Sequence, residues 1–335
     1  MNNTAVKLNK ITVIGHGAWA MTMANHVAAK VNEVSVYCYS KQATIKLQQS
    51  YTHDKLPAIP LNKNIQFTHQ INESLANSEA IIFCVPARFI AQTVEKILPF
   101  YTPNIPFLNL SKGIISADYL LLHDYFKSKF KSLNYAVLSG PNLALEIAQK
   151  KPAAAVIAAE NSQTVSLFQS IINHSNLRIY SSDDIVGVSC GGVIKNSIAI
   201  AAGCIDTLSL GVNSKASLIT RSLVEMIEFG ASLGAKPKTF YGLSGIGDLI
   251  ATCNSPLSRN YQCGVALAQG QTIEQFESNL NAIAEGIQTT QLLYNYSKKQ
   301  NMALPIIEGV YNIMFKQHKI ESVIEQLMQR EVKRE

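Results

Sequence analysis

The chain has 335 residues, 47% of them hydrophobic and 16% charged, with a formal net charge of +6. That length exceeds what one core usually organises, and the composition excludes a disordered or fibrous chain. The positive charge suits an anionic ligand, but the basic residues are scattered, and Lys127-Ser128-Lys129-Phe130-Lys131 reads as a solvated helix end, so nucleic acid is not an expected partner.

Residues 1–10 are polar and lack the apolar run of a secretory leader, and no uninterrupted apolar run reaches bilayer length. A cytoplasmic location without membrane insertion is expected. The six cysteines (Cys38, Cys84, Cys190, Cys204, Cys253, Cys263) include no Cys-x-x-Cys pair and read as reduced core thiols. The seven histidines form no metal-ligand pattern, so no metal is expected.

Residues 11–14 are a short, β-branched apolar run that suits a strand buried on both faces. Gly15-His16-Gly17-Ala18-Trp19-Ala20 follows at once, and an Ala-rich helix is predicted over 21–30. This is the strand, glycine turn and helix of a dinucleotide site. Gly15 makes the turn, Gly17 lets backbone approach a pyrophosphate, and the helix N-terminus faces the phosphate charge. The next strand, 34–38, ends in Tyr39-Ser40-Lys41 with no acid to bind the adenosine ribose. A 2′-phosphate is therefore not repelled, and NADPH is expected alongside NADH.

Further strands are predicted at 80–85, stopped by Pro86, and at 106–110, 135–138, 154–158 and 177–180. Helices at 87–98, a short one through Glu146, and 164–172 alternate with them. The alternation predicts a parallel, doubly wound sheet of Rossmann type, with ligands beyond the strands' carboxyl ends. Lys112, in Ser111-Lys112-Gly113, and Gly140 and Asn142, in Ser139-Gly140-Pro141-Asn142, fall at such ends.

From Asp184 the strand signals stop, and helices are predicted over 186–202, 214–233, 258–268, 285–297, 306–315 and 322–330. Two domains result: residues 1–187, a Rossmann-type NAD(P)-binding domain, and 188–335, an all-α substrate-binding and catalytic domain. The 186–202 helix is apolar nearly all round yet carries Lys195. A buried ammonium is costly, and burial drives it toward the neutral amine, a proton acceptor. On that helix alone, a lysine snorkelling to water explains it as well.

The ordered blocks Gly15-His-Gly-Ala-Trp19, Ser111-Lys-Gly113, Ser139-Gly-Pro141, Gly191-Gly192-x-x-Lys195-Asn196, Ala216-Ser-Leu-Ile-Thr-Arg221, Gly245-Ile-Gly-Asp-Leu249, Ser255-Pro-Leu-Ser-Arg-Asn260 and Glu285-Gly286 span nearly the whole chain. Over that length the chain resembles the bacterial NAD(P)-dependent sn-glycerol-3-phosphate dehydrogenase family. The resemblance implies reversible hydride transfer between NAD(P)H and dihydroxyacetone phosphate, giving sn-glycerol 3-phosphate for phospholipid synthesis. It assigns Lys195 as proton acceptor and substrate contact. Lys112, Gly140, Asn142, Asp248, Ser258, Arg259 and Asn260 match further substrate contacts. Gly15, Gly17, Ala18, Trp19, Tyr39, Lys112, Ala144, Arg259, Ile283 and Glu285 match cofactor contacts.

The chain departs from the family pattern in having Ala18 for serine, Ala20 for glycine, Asn142 for serine or threonine, and Tyr39-Ser40 for a basic pair. A 3-hydroxyacid or 6-phosphogluconate dehydrogenase, which also places a lysine on an interdomain helix, is the alternative within the class. A non-catalytic NAD(P)-sensing module is the alternative outside it. The size and the apolar second domain suggest a homodimer.

Overall fold

The computed structural model describes residues 8–116, 121–280 and 284–331. The chain first alternates strand and helix: β1 (Lys10–Ile14), α1 (Ala18–Val27), β2 (Glu33–Tyr37), α2 (Lys41–Ser50), β3 (Ile65–Thr68), α3 (Ile71–Leu75), β4 (Ala80–Phe83), α4 (Ala87–Ile97), β5 (Pro106–Asn109), α5 (Leu122–Lys129), β6 (Asn134–Ser139), α6 (Ala144–Ala148), β7 (Ala153–Ala159), α7 (Ser162–Ile172) and β8 (Leu177–Ser182). The strands form one sheet in the order β3-β2-β1-β4-β5-β6-β7-β8. β1 lies between β2 and β4, so the winding reverses there, and a crevice opens beyond the carboxyl ends of β1 and β4.

Neighbouring residues on the strands face opposite sides, and both sides are covered. Val13, Ile82 and Leu108 join the cluster under α1 and α7, whereas Ile14, Phe83 and Phe107 join the one under α4 and α5. Continuous apolar strands are the consequence of that double burial.

The sheet differs from the expected all-parallel one at β6 and β7, which pair antiparallel. The connection between them contains only the five-residue α6. At about 1.5 Å per residue, such a helix is too short to carry the chain back along the sheet, so the next strand runs the other way.

The remaining elements are helical: α8 (Ile185–Thr207), α9 (Gly211–Ser232), a 3₁₀ turn (Pro237–Tyr241), a π-helical turn (Leu243–Gly247), α10 (Asp248–Cys253), α11 (Arg259–Ala268), α12 (Ile273–Leu280), α13 (Glu285–Lys299), α14 (Pro305–Lys316) and α15 (Ile320–Met328). α8 is the axis of this half. By length and mean hydropathy it would be long and apolar enough to cross a membrane, but 83% of its apolar window is buried inside the fold. Its polar break at Lys195 and Asn196 hides its length from a search for uninterrupted apolar runs. Asp184 caps α8 by accepting from Gly187 N at 2.8 Å, and also accepts from Lys236 N at 2.9 Å and Thr239 Oγ1 at 2.6 Å. One carboxylate thus starts the central helix and fixes the loop that follows α9.

Candidate active site

Two buried charges and one half-buried charge meet where the sheet and the helices face each other. Asp248, at the start of α10, is 2% exposed, and Lys195, on α8, is 8% exposed. Lys195 Nζ donates to Asp248 Oδ1 at 2.6 Å and to Thr252 Oγ1 at 3.0 Å. Lys112 Nζ, reaching over from the loop after β5, donates to Asp248 Oδ2 at 2.6 Å and to the Gly140 carbonyl at 3.4 Å. Each carboxylate oxygen therefore holds one ammonium. The lysine of the apolar helix is neither alone nor snorkelling: its head is paired inside the fold.

Burial pulls the Lys112 ammonium down to about 8, with Asp248 opposing the change and Lys195 adding to it. Burial pushes the Asp248 carboxyl up, but the two lysines more than offset this and leave it below its ordinary value. Two cations on one anion give the cluster a surplus positive charge for an incoming anionic substrate.

Glycines make this meeting possible. A Cβ on Gly191 would collide with the Ser244 carbonyl, and one on Gly192 would lie 3.1 Å from Lys112 Cδ. The bare stretch of α8 lets the π-helical turn lie against it and carries Asp248 to Lys195, one helical turn on. It also lets the Lys112 stem cross the helix. A Cβ on Gly264 of α11 would likewise strike the Ile200 carbonyl, so α11 lies close on α8 and brings Arg259 and Asn260 to the same end.

Asn260 Oδ1 accepts from Gly286 N at 2.8 Å, which fixes the amide and leaves its NH₂ to donate. Ser258 caps α11 through Tyr261 N at 3.4 Å, so its oxygen is engaged, although its hydroxyl hydrogen stays available. Arg259 makes no hydrogen bond or ion pair among the described residues. Both amide atoms of Asn142 are buried without a partner, as is Ser139 Oγ. Buried polar groups rarely stay unpaired, so these orphans mark a place where a ligand or water belongs.

The dinucleotide end is also built. Gly15 adopts φ +114°, and a Cβ there would strike the Cys84 carbonyl. Gly17 is the N-cap of α1, with no side-chain cap bond and nothing within 4 Å of where its Cβ would stand. The first amides of α1, at Ala18 and Trp19, make no hydrogen bond among the described residues, the arrangement that takes a pyrophosphate. Ala144 opens α6, and its carbonyl accepts from Thr22 Oγ1 at 3.2 Å.

Glu285, at the start of α13, accepts from Ala87 N at 3.3 Å, tying the helical half to the turn after β4. Burial raises its carboxyl, opposed by the Ala87 amide and by Lys195 and Lys112. Tyr39 is 67% exposed and stacks on Phe89 with ring centroids 6.4 Å apart. Lys96 Nζ lies 5.4 Å from the Tyr39 ring, and the Arg88 guanidinium 4.5 Å from that of Phe89.

Of the residues expected from sequence, the structure joins Lys112, Gly140, Lys195 and Asp248 directly and ties Asn260 to the start of α13, whereas no hydrogen bond among the described residues links Asn142, Ala144, Arg259 or Tyr39 to that cluster, and Ile283 lies outside the described residues. Thr252, Phe89, Arg88 and Lys96 were missed. Thr252 stands four residues after Asp248, one helical turn, and that spacing is a usable signal. Phe89, Arg88 and Lys96 carry no local signal, because only the sheet order brings α4 beside the end of β2.

Two family models match: NAD-dependent glycerol-3-phosphate dehydrogenase N-terminus over residues 10–165, and the C-terminus of the same family over 184–325. The chain belongs to the NAD-dependent glycerol-3-phosphate dehydrogenase family. It is 34% identical over 327 residues to a glycerol-3-phosphate dehydrogenase [NAD(P)+] of Bacillus pumilus, covering 96% of this chain and 95% of that one. It is 37% identical over 325 residues to a protein of the same name from Nostoc, covering 97% and 98%. The crystal structure of glycerol-3-phosphate dehydrogenase from Coxiella burnetii superimposes with a TM-score of 0.92 at 28% identity, over 96% of this chain and 99% of that one. Membership of this glycerol-3-phosphate dehydrogenase family makes the chain an NAD(P)-dependent oxidoreductase acting on a CH–OH group.

Proposed function

We infer that this chain reversibly reduces dihydroxyacetone phosphate to sn-glycerol 3-phosphate with NAD(P)H. The observation that carries this reading is Asp248 bridging Lys112 and Lys195 beside the dinucleotide crevice. The nicotinamide cofactor, when bound, supplies the hydride that reaches C2 of the ketone. Lys195 has three N–H groups, of which Asp248 and Thr252 take two. The third is directed to the ketone oxygen and delivers the proton as that oxygen gains charge. In the reverse direction Lys195 takes the hydroxyl proton. Asp248 fixes both ammonium groups in place between turnovers.

Lys112 and the amide of Asn260 hold the substrate, and Arg259 offers a planar fork to its phosphate. Gly140, Asn142 and Ser258 complete the substrate contacts. Ala18 and Trp19 present amides to the pyrophosphate of the cofactor, Tyr39 offers a face to the adenine, Ala144 and Glu285 line the rest of its site, and Ile283 is the further cofactor contact that the family motif implies. No acid ends β2, Lys96 lies over the Tyr39 ring and Arg88 over the Phe89 ring stacked on it, so NADPH is the preferred cofactor. The division into residues 1–187 and 188–335 places the interdomain step in the first turn of α8. A cytoplasmic location, a homodimer and a role in glycerophospholipid synthesis complete the proposal.

Absorbance at the nicotinamide band with dihydroxyacetone phosphate tests it, comparing NADPH, NADH and the Lys195→Met variant. Oxidation of NADPH faster than of NADH at limiting cofactor is expected. The variant should keep NADPH affinity and lose roughly 10²–10⁴-fold in kcat, the range of a lost general acid. Turnover of a 3-hydroxyacid but not of dihydroxyacetone phosphate would reject the reading.

A further inference from the structure

A cavity of about 290 Å³ opens outside this site, along the C-terminal half of α1. Leu56, Ile59 and Ile147 give it an apolar wall, and His26, His174 and Lys150 line the rest with several uncharged polar groups. No acidic side chain lines it among the described residues.

The rim is held by specific bonds. Asn25 donates to the Pro60 carbonyl at 3.2 Å and accepts from Asn62 N at 2.7 Å, strapping the 56–62 segment to α1. On the other side Asn176 Nδ2 donates to the Ile147 carbonyl at 3.3 Å. His26 Nε2 lies 2.7 Å from the Ile172 carbonyl, so this nitrogen carries the proton, and its ring meets that of His174 edge-on at 4.5 Å. Behind them the Lys30 ammonium is fixed on the carbonyls of Ser170 and Asn173.

The charge around the pocket is of one sign. Burial lowers His26 to about 4, opposed by the Ile172 carbonyl and assisted by His174 and Lys30. Burial, then Lys30 and Lys150, lowers His174 as well. The one acid nearby on α6, Glu146, sits 3.6 Å from Lys151 and does not line the cavity. Two neutral imidazoles and Lys150 therefore line a space large enough for a small ligand, with Lys30 held behind them and an apolar surface opposite.

We propose that this cavity binds a small organic anion, with a carboxylate or phosphate head against Lys150 and His174 and a short apolar body against Leu56, Ile59 and Ile147. Nothing in the dehydrogenase reaction uses this pocket, and none of its lining residues belongs to the catalytic crevice. An anion there offsets the field of Lys30 and Lys150, so both imidazoles take up protons more readily, and by linkage the anion binds more tightly as pH falls.

The test is a titration of histidine-labelled protein, following the imidazole resonances of His26 and His174, assigned with His174→Gln. Valerate and butyl phosphate separate the two head groups, valeramide removes the charge, and inorganic phosphate removes the apolar body. Saturable shifts of both histidines with valerate or butyl phosphate are expected, stronger at pH 6 than at pH 8 and weakened about tenfold by Lys150→Ala, a loss of about 1.4 kcal/mol. The same shifts are expected with NADPH and glycerol 3-phosphate saturating the catalytic site, and their loss there would assign the anion to that site instead. Equal binding of valeramide would overturn the charge assignment, and equal binding of inorganic phosphate would overturn the apolar wall. No saturable shift at about 10 mM, ten times a millimolar Kd, would overturn the site.

Discussion

Lys112 and Lys195 share Asp248, yet their surroundings differ. Lys195 has a second acceptor in Thr252, whereas the second partner of Lys112 is the longer 3.4 Å contact to the Gly140 carbonyl. Lys112 is pulled down to about 8, so it is charged below that pH and neutral above it. Losing that charge frees one oxygen of Asp248 and removes the surplus positive charge that attracts the substrate. We expect kcat/KM for dihydroxyacetone phosphate to fall as pH rises through about 8. In Lys112→Arg the guanidinium stays charged, so the fall should move to higher pH. The absolute rate should be lower, because a planar fork does not follow the path of the lysine stem over Gly192. A pH profile for both proteins checks this, and an unmoved fall would assign the titration to another group.

At the scale of elements, α8 depends on where it lacks side chains as much as on its apolar ones. Gly191→Ala places a methyl group on the Ser244 carbonyl. Overpacking of this kind costs roughly 1–3 kcal/mol, and here the part forced to move is the turn that delivers Asp248. A lower midpoint in denaturant and a reduced kcat are both expected. Gly247→Ala is the contrast, since its φ is −61° and the nearest atom to the new methyl would be 3.6 Å away. Its stability should be unchanged or slightly higher.

A second device joins α9 to α14: Glu225, 3% exposed, accepts from Ile306 N at 2.6 Å and Ile307 N at 3.2 Å. Burial raises its carboxyl to about 7, against the pull of these two amides. The native state therefore holds this proton more tightly than the unfolded chain does. The stabilisation is complete below the unfolded value of 4.5 and is lost as pH rises through about 7. Relative to Glu225→Gln, which has no proton to lose, the wild type should forfeit about 3 kcal/mol across that window. The variant should itself lie about 1–3 kcal/mol lower at pH 5, where its NH₂ faces an amide donor. Urea titrations at pH 5 and pH 8 measure both differences.

The legibility of these elements follows from how their signals arise. β1 with its Gly15-His16-Gly17 turn, and Lys195 on its apolar helix, are readable because local sequence is enough to specify them. β3 was missed because it is a four-residue edge strand whose burial alternates. α2 was missed because it buries only Thr44 and Leu47. The reversed direction of β7 leaves no trace in an apolar run, since side-chain alternation is the same for either direction. Lys112 was readable as a strand-end residue, but its pairing with Asp248, 136 positions later, exists only once the halves meet.

On the scale of the whole molecule, the two halves are joined through the core and not only by a linker. Ile185 and Val188 of α8 belong to the cluster that also holds Phe83 and Phe107 of the sheet. Conversely Ile114 and Leu121, from the sheet half, belong to the helical cluster around Ile194 and Phe229. The Lys112–Asp248 and Glu285–Ala87 contacts cross the same junction. Neither half can unfold without exposing part of the other's core, so one cooperative transition is expected despite the length of the chain. The single tryptophan, Trp19, lies on α1 and reports the sheet half, while most of the far-ultraviolet helical signal comes from α8 onward. Trp19 fluorescence and circular dichroism should therefore trace the same midpoint in urea. NADPH should raise that shared midpoint, since a ligand bound at the crevice stabilises whatever unfolds with it. Separate midpoints, with NADPH moving only the fluorescence curve, would mean that the halves melt independently and that the shared clusters do not couple them.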